Sequence, residues 1–252
     1  MQVLALDTTA RSGSIAIVRG ENAAAVVTEQ PGDPARSHAE RLPSAILDLL
    51  AAQGLTISAI DCFAVATGPG SFTGLRIGIA TMQGLALVTE RPMVGVSALA
   101  ALAHVAGETR RAGDRIGVWM DGYRREVFAA LFAVTDEPPS SLAHLTEIEG
   151  PTVGPPDAVL ERWERAGVAP LVFIGDGATL YQDLVAARVG PAVILGMPLL
   201  AGAVGRLAIA HARRGETVTP SGIQPLYVRR PDAELAREHA LADRRPDVAS
   251  RD

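Results

Sequence analysis

Residues 64–79 read Ala-Val-Ala-Thr-Gly-Pro-Gly-Ser-Phe-Thr-Gly-Leu-Arg-Ile-Gly-Ile, and this stretch decides the fold. It continues an unbroken apolar run at 62–67, which is typical of a strand buried on both faces of a sheet. The glycines and proline at 68–70 end that strand, and the spacing that follows predicts a helix from about 74 to 88. A buried strand that leads through a glycine-rich turn into a helix indicates an α/β protein.

The glycine-rich turn has two explanations. Backbone amides at the N-terminus of a helix favour anions, so Gly68, Gly70 and Ser71 are candidate phosphate or nucleotide contacts. The run lacks the Gly-Lys-Ser/Thr end of a P-loop, and it lacks the Gly-x-Gly-x-x-Gly spacing of a dinucleotide site. The alternative is a tight turn whose glycines let the backbone pass close to a neighbouring segment.

A polar turn follows the first apolar strand, which is predicted at 3–6. Asp7, Thr8 and Thr9 form it, and a strand at 14–18 comes next. Amides and hydroxyls in such a turn bind phosphate, and an aspartate there holds magnesium through water, so these three residues are also candidate nucleotide contacts. The simpler explanation is that their side chains close the turn with hydrogen bonds of their own.

The order of predicted elements divides the chain into two lobes. The first half has the order β-β-β-α-β-α-β-α and ends at the polar stretch 107–113. We expect a first lobe at 1–108, a smaller second lobe at 109–230 and a disordered polar tail at 231–252. A hairpin followed by helix occurs in both halves, which hints at duplication. The second half is predicted to hold strands at 116–120, 127–132 and 171–174, a helix at 157–166, and a helix at 198–214 that packs back on the first lobe.

Composition excludes several classes of protein. Hydrophobic residues make up 48% of the 252 residues and charged residues 20%, which favours a globular fold over disorder. The formal net charge is −5 and no dense Lys/Arg run occurs, so a protein that holds RNA by itself is not expected. The one cysteine, Cys62, excludes a disulfide within the chain. No signal peptide or membrane span is expected, which predicts a cytoplasmic protein without membrane contact.

The helix predicted at 74–88 is apolar around most of its circumference. Glycines and alanines, among them Gly78 and Gly84, leave flat patches between its larger side chains. A helix that is apolar all round must be covered all round, and a sheet covers only one side of it. Either the helix predicted after the capping box Ser37-x-x-Glu40 covers the remainder, or another protein chain does.

Several motifs together resemble the TsaB (YeaZ) family. They run in the family's order from Met1 to about Arg230: Leu4-Ala-Leu-Asp-Thr-Thr9, the run from Gly68 to Ile79, Val94-Gly-Val-Ser-Ala-Leu99, Asp121 with Glu126-Val-Phe128, Gly175-Asp-Gly-Ala178 and Pro225-Leu-Tyr-Val-Arg229. The resemblance implies the α/β fold of sugar kinases, heat-shock protein 70 and actin, with two lobes of duplicated mixed-sheet cores. It also implies a role in transferring a threonylcarbamoyl group to the adenosine next to the anticodon of tRNA. In that reaction TsaD is the active subunit, and TsaE is an ATPase that joins the two paralogues.

The resemblance further implies that this chain is not itself the transferase. TsaD-type sequences carry metal-binding histidines just after the Val94-Gly-Val96 strand, where this chain has Ala98 and Leu102, whose side chains bind no metal. We therefore expect no metal site and no cofactor on the isolated chain, with ATP and magnesium entering only in the complex. The expected partners are TsaD in a heterodimer, TsaE, a second copy of this chain when it is alone, and tRNA only through the complex.

By family analogy the pairing surface lies on the two helices at 37–52 and 74–88. A bulky residue in place of Gly78 or Gly84 is then expected to block pairing and leave the fold intact. The predicted interface residues are Leu42, Ile46, Leu49, Arg76, Ile77, Gly78, Thr81, Met82 and Leu85.

Two other functions remain open at this point. An ATPase or small-molecule kinase would use the Asp7 turn as its phosphate site, with Asp121 as general base and Gly175-Asp-Gly177 against the adenosine. A stand-alone RNA-binding module would need a basic face, which the acidic composition does not favour.

Overall fold

The computed structural model describes residues 1–20 and 25–229 of the 252. The tail predicted at 231–252 lies outside the described residues. Two five-stranded mixed sheets with helices packed on their faces form the architecture, so the predicted α/β class is confirmed. Within the described residues, no helix has both the length and the apolarity that crossing a membrane requires.

The first sheet has the strand order β3-β2-β1-β4-β5. Three strands form an antiparallel meander, and two more join parallel to the first: β1 (Gln2–Asp7), β2 (Ser14–Arg19), β3 (Val26–Pro31), β4 (Cys62–Gly68) and β5 (Met93–Ser97). Successive side chains of β1 belong to two different apolar clusters, with Leu4 on one face and Val3 on the other. Both faces of this sheet are therefore covered.

The second sheet has the order β8-β7-β6-β9-β10. Its first three strands are antiparallel and its last two are parallel to β6: β6 (Arg115–Asp121), β7 (Val127–Val134), β8 (Leu145–Gly154), β9 (Val172–Ile174) and β10 (Val193–Leu195). Position by position, this order and these directions repeat those of the first sheet. The expected duplication of a mixed-sheet core is confirmed.

Two strands of the second sheet were not predicted from the sequence. β8 lies at the edge of the sheet and is only partly buried, with Glu147 and Glu149 among its residues. β10, at the other edge, has three residues. An edge strand pairs on one side only, so it needs less apolar surface and gives a weaker alternating pattern.

Two helices cover the outer face of the first sheet, α1 (His38–Ala52) and α2 (Phe72–Val88). The predicted capping box of α1 is confirmed. The Ser37 hydroxyl accepts from the Glu40 amide at 3.4 Å, and the Glu40 carboxylate accepts from the Ser37 amide at 2.9 Å.

Two further helices fill the space between the sheets, α3 (Ala98–Gly107) and α7 (Ala201–Arg213). Both belong to one apolar cluster that includes strands of both sheets. α7 begins three residues later than predicted, where the Ser14 hydroxyl accepts a hydrogen bond from the Leu200 amide at 3.1 Å. Although α7 follows the second lobe in the chain, Gly205 brings it too close to the first sheet for a Cβ to fit.

The outer face of the second sheet carries α4 (Pro156–Arg165), α5 (Asp176–Leu180) and α6 (Gln182–Val189). The core beneath them is aromatic, with ring centroids 5.3–6.3 Å apart among Trp119, Trp163 and Phe173. The two lobes thus share a strand order but differ in their cores, since the first is built from aliphatic side chains and one phenylalanine.

Candidate functional site

The turn after β1 is closed by its own side chains. Asp7 Oδ1 accepts hydrogen bonds from the Thr9 amide at 2.9 Å and from the Thr9 hydroxyl at 2.6 Å. Burial raises the pKa of Asp7 above its ordinary value of 3.8, and the hydrogen bonds from Thr9 oppose that rise. Asp7, Thr8 and Thr9 are each no more than 4% exposed. The turn therefore fits the simpler explanation, in which its own side chains close it with hydrogen bonds.

The glycine-rich loop lies directly on this turn. A Cβ on Gly70 would come within 2.6 Å of Thr9 Cβ, and one on Gly74 would come within 2.3 Å of the Thr8 carbonyl oxygen. Only glycine allows two backbones to approach this closely. The loop backbone therefore packs against Thr8 and Thr9, and the two segments that the sequence marks as possible nucleotide contacts lie side by side. A nucleotide contact at these residues stays a prediction.

Ser71 starts the helix that follows the loop. Its hydroxyl accepts from the Gly74 amide at 3.2 Å, and this N-cap makes α2 begin at Phe72, two residues before the predicted start. Gly68 is buried, whereas Gly70 and Ser71 face a cleft between the lobes. These two are the predicted phosphate contacts that remain accessible.

The cleft has a volume of about 630 Å³ and lies between the N-terminus of α2 and the second lobe. Its walls come from the loop before α2 and its first turn, the turn between β6 and β7, and the segment at 226–229. Among the described residues, its lining contains no Asp or Glu. It does contain four aromatic rings and two guanidinium groups, those of Phe72, Tyr123, Phe128, Tyr227, Arg124 and Arg229.

One wall of the cleft contains two aromatic rings, Phe72 and Tyr227, which Arg76 holds in place from behind the wall. The rings of Phe72 and Tyr227 are stacked, with centroids 5.2 Å apart and planes inclined by 29°. The Arg76 guanidinium lies 4.0 Å from the Phe72 ring centroid, and its Nε donates to the Tyr227 hydroxyl at 2.9 Å. This wall joins α2 to a segment about 150 residues further along the chain.

The opposite wall is a strained turn. Tyr123, Arg124 and Arg125 are consecutive, and all three have left-handed φ angles between 54° and 62°. Such a backbone costs roughly 1–3 kcal/mol at a residue other than glycine and persists only where neighbouring groups hold it. All three side chains are exposed.

One local contact and two contacts from distant segments hold this turn. Asp121 Oδ1 accepts from the Tyr123 amide at 2.8 Å, and Asp176 Oδ1 accepts from the Asp121 amide at 2.8 Å. Arg229 forms an ion pair with Glu126. The motifs quoted at 121–128, 175–178 and 225–229 therefore meet in space. Asp121 and Asp176, which the ATPase or kinase alternative assigns to chemistry, have structural partners here.

α2 presents apolar residues on two opposite faces. On the inner face, Met82 is buried and a Cβ on Gly78 would lie 2.2 Å from Thr8 Oγ1. On the outer face, Leu87 is 69% exposed and Val88 is 85% exposed, while a Cβ on Gly84 would meet no atom of the described residues within 4 Å. We name the outer face the outer stripe of α2; its members are Arg76, Ile77, Ala80, Thr81, Gly84, Leu85, Leu87 and Val88.

These positions correct the predicted interface. Arg76, Ile77, Thr81 and Leu85 are exposed or partly exposed. The other five predicted residues are buried in the core of the first lobe and cannot contact another chain: Leu42, Ile46, Leu49, Gly78 and Met82. The expectation that a bulky residue at position 78 leaves the fold intact is also wrong, because that residue would collide with Thr8. The sequence did not separate the two faces because both are apolar, and it missed the exposed Leu47, Leu87 and Val88.

The positions compared with the metal ligands of TsaD-type sequences lie inside the molecule. Ala98 and Leu102 of α3 are both fully buried. Near them, burial lowers the pKa of His104 to about 4, helped by the charge of Arg206, so His104 is neutral at neutral pH. In the described part of the chain, no group of three or more His, Cys, Asp or Glu is placed to hold a metal ion.

Known proteins share both the sequence and the fold of this chain. A family model described as "TsaD: tRNA N6-adenosine threonylcarbamoyltransferase" matches residues 24–196. The chain is 34% identical over 232 residues to the "tRNA threonylcarbamoyladenosine biosynthesis protein TsaB" of Escherichia coli (strain K12). That match covers 91% of this chain and 95% of the relative.

Two solved structures from Pseudomonas aeruginosa are similar along their whole length. The one titled "YeaZ" is 31% identical with a TM-score of 0.69, and it matches over 90% of this chain and 99% of its own. The other, titled as an uncharacterized protein with similarity to peptidase YEAZ, is 32% identical with a TM-score of 0.71 over the same shares. The chain therefore belongs to the TsaB (YeaZ) family of tRNA threonylcarbamoyladenosine biosynthesis and shares the α/β fold of the solved YeaZ structure.

Proposed function

We propose that this chain is a non-catalytic subunit that binds and activates a TsaD-type transferase. The reaction of the complex is transfer of a threonylcarbamoyl group to the adenosine next to the anticodon of tRNA. The observation that carries the proposal is the outer stripe of α2, where the large apolar side chains of Leu87 and Val88 are exposed to solvent. Contiguous apolar patches on a protein surface mark sites where other molecules bind.

The shape of the outer stripe suits a partner helix. Residues 76–88 extend over roughly 18 Å of helix, at 1.5 Å per residue. Gly84 makes a notch in the middle, because a Cβ there would meet nothing within 4 Å. Leu47 of α1, 65% exposed, adds a further apolar side chain on the same side of the first sheet. A specific interface buries about 1,200–2,000 Å² in total, and we propose that α1 and α2 supply it together.

The surroundings of the candidate catalytic and metal-binding positions support a non-catalytic role. Asp7 is sealed beneath the glycine-rich loop, so it does not face a substrate. Ala98 and Leu102 have no atom that ligates a metal. The Asp121 and Asp176 carboxylates accept backbone hydrogen bonds that hold a turn. We propose that the isolated chain binds no nucleotide and that ATP and magnesium enter with the other subunits.

The proposed partners follow from the same role. They are a TsaD-type subunit, TsaE, and a second copy of this chain through the outer stripe when the TsaD-type subunit is absent. tRNA is proposed to reach this chain only within the complex. The proposed location is the cytoplasm, where tRNA is modified.

A Gly84→Arg variant tests the interface. Arginine favours a helix over glycine by up to about 1 kcal/mol, and position 84 is open, so the fold should be kept and the melting temperature should not fall. Co-purification with the TsaD-type subunit should drop at least tenfold. Ala187→Arg is the matched control, because it adds the same side chain to an exposed position of α6 and should pair normally. A folded Gly84→Arg variant that still pairs would place the interface elsewhere.

Reconstitution of the modification reaction tests the role. Product should form with the TsaD-type subunit, TsaE and this chain together, and it should fall to background when this chain is left out. The pure chain should not hydrolyse ATP. ATP turnover that disappears in Asp7→Ala would favour the ATPase or kinase alternative instead.

A further inference from the structure

We infer that the cleft between α2 and the β6–β7 turn holds unpaired nucleotides of the tRNA, with bases stacked on its rings and phosphates beside its arginines. The inference rests on the proposed function, since tRNA is expected to meet this chain within the complex. The proposed function requires only that this chain pair with the TsaD-type subunit. The inference adds a direct contact between this chain and RNA.

The composition of the cleft is the first argument. The chain has ten aromatic residues (five Phe, two Trp and three Tyr), and four of them line this one cleft. Acidic residues outnumber basic ones 28 to 23 in the whole chain, yet among the described residues the cleft lining has two arginines, one of them paired with Glu126, and no Asp or Glu. Aromatic rings combined with positive charge are the chemistry that binds single-stranded nucleic acid.

The accessibility of the rings is the second argument. Tyr123 is 65% exposed, Phe72 is 42% exposed and Tyr227 is 37% exposed. Unpaired bases stack on aromatic side chains and on guanidinium planes. Arg76 holds two of these rings in place, because it lies over Phe72 and donates through Nε to the Tyr227 hydroxyl. One wall of the cleft is therefore already ordered before any ligand arrives, which lowers the entropy cost of binding.

The strained turn is the third argument. Its left-handed backbone exposes Tyr123, Arg124 and Arg125 in succession, one ring followed by two cations. The hydrogen bonds of Asp121 and Asp176 and the ion pair of Arg229 with Glu126 maintain this arrangement. Strained backbone that neighbouring groups maintain is found preferentially at functional sites.

The spread of the cations favours a strand of RNA over a free nucleotide. Arg76 contacts Phe72 and Tyr227 behind one wall, and Arg124 lines the other, so the positive groups lie on both sides of the cleft instead of converging on one phosphate. Within residues 1–20 and 25–229, the lining offers no carboxylate to hold magnesium beside a triphosphate, and Asp7 is buried. A groove that carries rings and spaced cations tracks a sugar-phosphate backbone.

The test uses the purified complex of this chain with its TsaD-type subunit and a fluorescent anticodon stem-loop RNA, titrated over a range of salt concentrations. Tyr123→Leu keeps an apolar side chain but removes the ring, and it should weaken binding at least fivefold, whereas Tyr123→Phe should bind as wild type. Arg124→Gln should weaken binding and reduce the slope of log K against log salt by about 0.7. Arg213→Gln is the control, because Arg213 is exposed and lies beside Met1 and Gly20, at the other end of β1 from Asp7.

The outcomes show whether the inference or the proposed function has failed. Assembly of every variant with the TsaD-type subunit is measured in parallel, so a failure of the wild-type chain to assemble counts against the proposed function alone. Unchanged RNA affinity in Tyr123→Leu and Arg124→Gln would overturn the inference. An equal loss of RNA affinity in Arg213→Gln would also overturn it, because the RNA would then respond to the overall charge of the chain and not to the cleft. Loss of assembly in Tyr123→Leu would make the cleft a protein contact, and saturable binding of AMP by the isolated chain at micromolar concentration would make it a free-nucleotide site.

Discussion

The hairpins β1–β2 and β6–β7 occupy equivalent places in the two lobes, and each first strand ends in an aspartate that holds its own turn. Asp7 Oδ1 accepts from the Thr9 amide at 2.9 Å, and Asp121 Oδ1 accepts from the Tyr123 amide at 2.8 Å. The residues that follow have opposite surroundings. Thr9, which donates to Asp7, is 4% exposed, whereas Tyr123, which donates to Asp121, is 65% exposed.

The loop that covers each hairpin explains the difference. In the first lobe, the glycine-rich loop between β4 and α2 lies on the turn and seals it. In the second lobe, the corresponding loop between β9 and α5 presses on β6 instead, where a Cβ on Gly175 would come within 2.2 Å of the Trp119 carbonyl oxygen. Asp176 supports the base of the turn and leaves its tip open. A duplicated fold can thus keep its local hydrogen bonds while a neighbouring loop decides whether a turn belongs to the core or the surface.

Substitution of Gly74, which packs against the first hairpin, should change the stability of the protein most. In Gly74→Ala, the new methyl group would meet the Thr8 carbonyl oxygen at 2.3 Å, so the free energy of unfolding should fall by about 2 kcal/mol. Gly84→Ala, on the open face of the same helix, should raise it by about 0.5–1 kcal/mol. Urea titrations of both variants measure the two changes. Equal stability of Gly74→Ala and wild type would mean that the loop does not seal the first turn.

The titration of Asp7 should have an intermediate effect. Because burial raises the pKa of Asp7 in the folded state, the folded protein keeps this proton at pH values where the unfolded chain has lost it. The resulting stabilisation is complete below the ordinary pKa of 3.8 and is lost as the pH rises through the raised value. Asp7→Asn keeps an acceptor for Thr9 and cannot ionise, so it should be more stable than wild type at neutral pH. Chemical unfolding from pH 3 to pH 8 tests this, and parallel pH profiles for the two proteins would refute it.

Relief of the strained turn should have the smallest effect. Position 125 has a φ of 62°, which glycine adopts without strain. Arg125→Gly should therefore raise the free energy of unfolding by up to about 1 kcal/mol. The larger entropy of glycine in the unfolded chain offsets part of this gain. Differential scanning calorimetry would detect a small rise in melting temperature. A fall would indicate that the Arg125 side chain itself holds the turn.

Local patterns in the sequence predicted most of the elements. The capping box at Ser37 and Glu40, the buried strand at 62–67 and the hairpins around Asp7 and Asp121 each depend on residues within a few positions of one another. Such features follow from side-chain spacing and turn chemistry, which act locally. The polar edge strand β8 was missed because pairing with β7, and not its own apolar pattern, makes it a strand.

The candidate sites depended on longer-range packing. The sequence did not indicate that Phe72 and Arg76 would meet Tyr227, or that Arg229 would pair with Glu126 about 100 residues earlier. No local signal connects these residues, because each pair forms only when the end of the chain returns to the cleft. The motifs at 121–128 and 225–229 did mark the segments involved.

The sequence by itself determined the family, the α/β class and the duplicated order of elements, because these follow from local periodicity and from motifs that need no partner to be recognised. Only the tertiary structure decided that Gly78 faces inward and Gly84 outward, that Asp7 is sealed and that Tyr123 is open. The physical reason is that burial belongs to a residue's neighbours in space. Two glycines on one apolar helix have the same local sequence character, and the loop or sheet packed against each one sets its role.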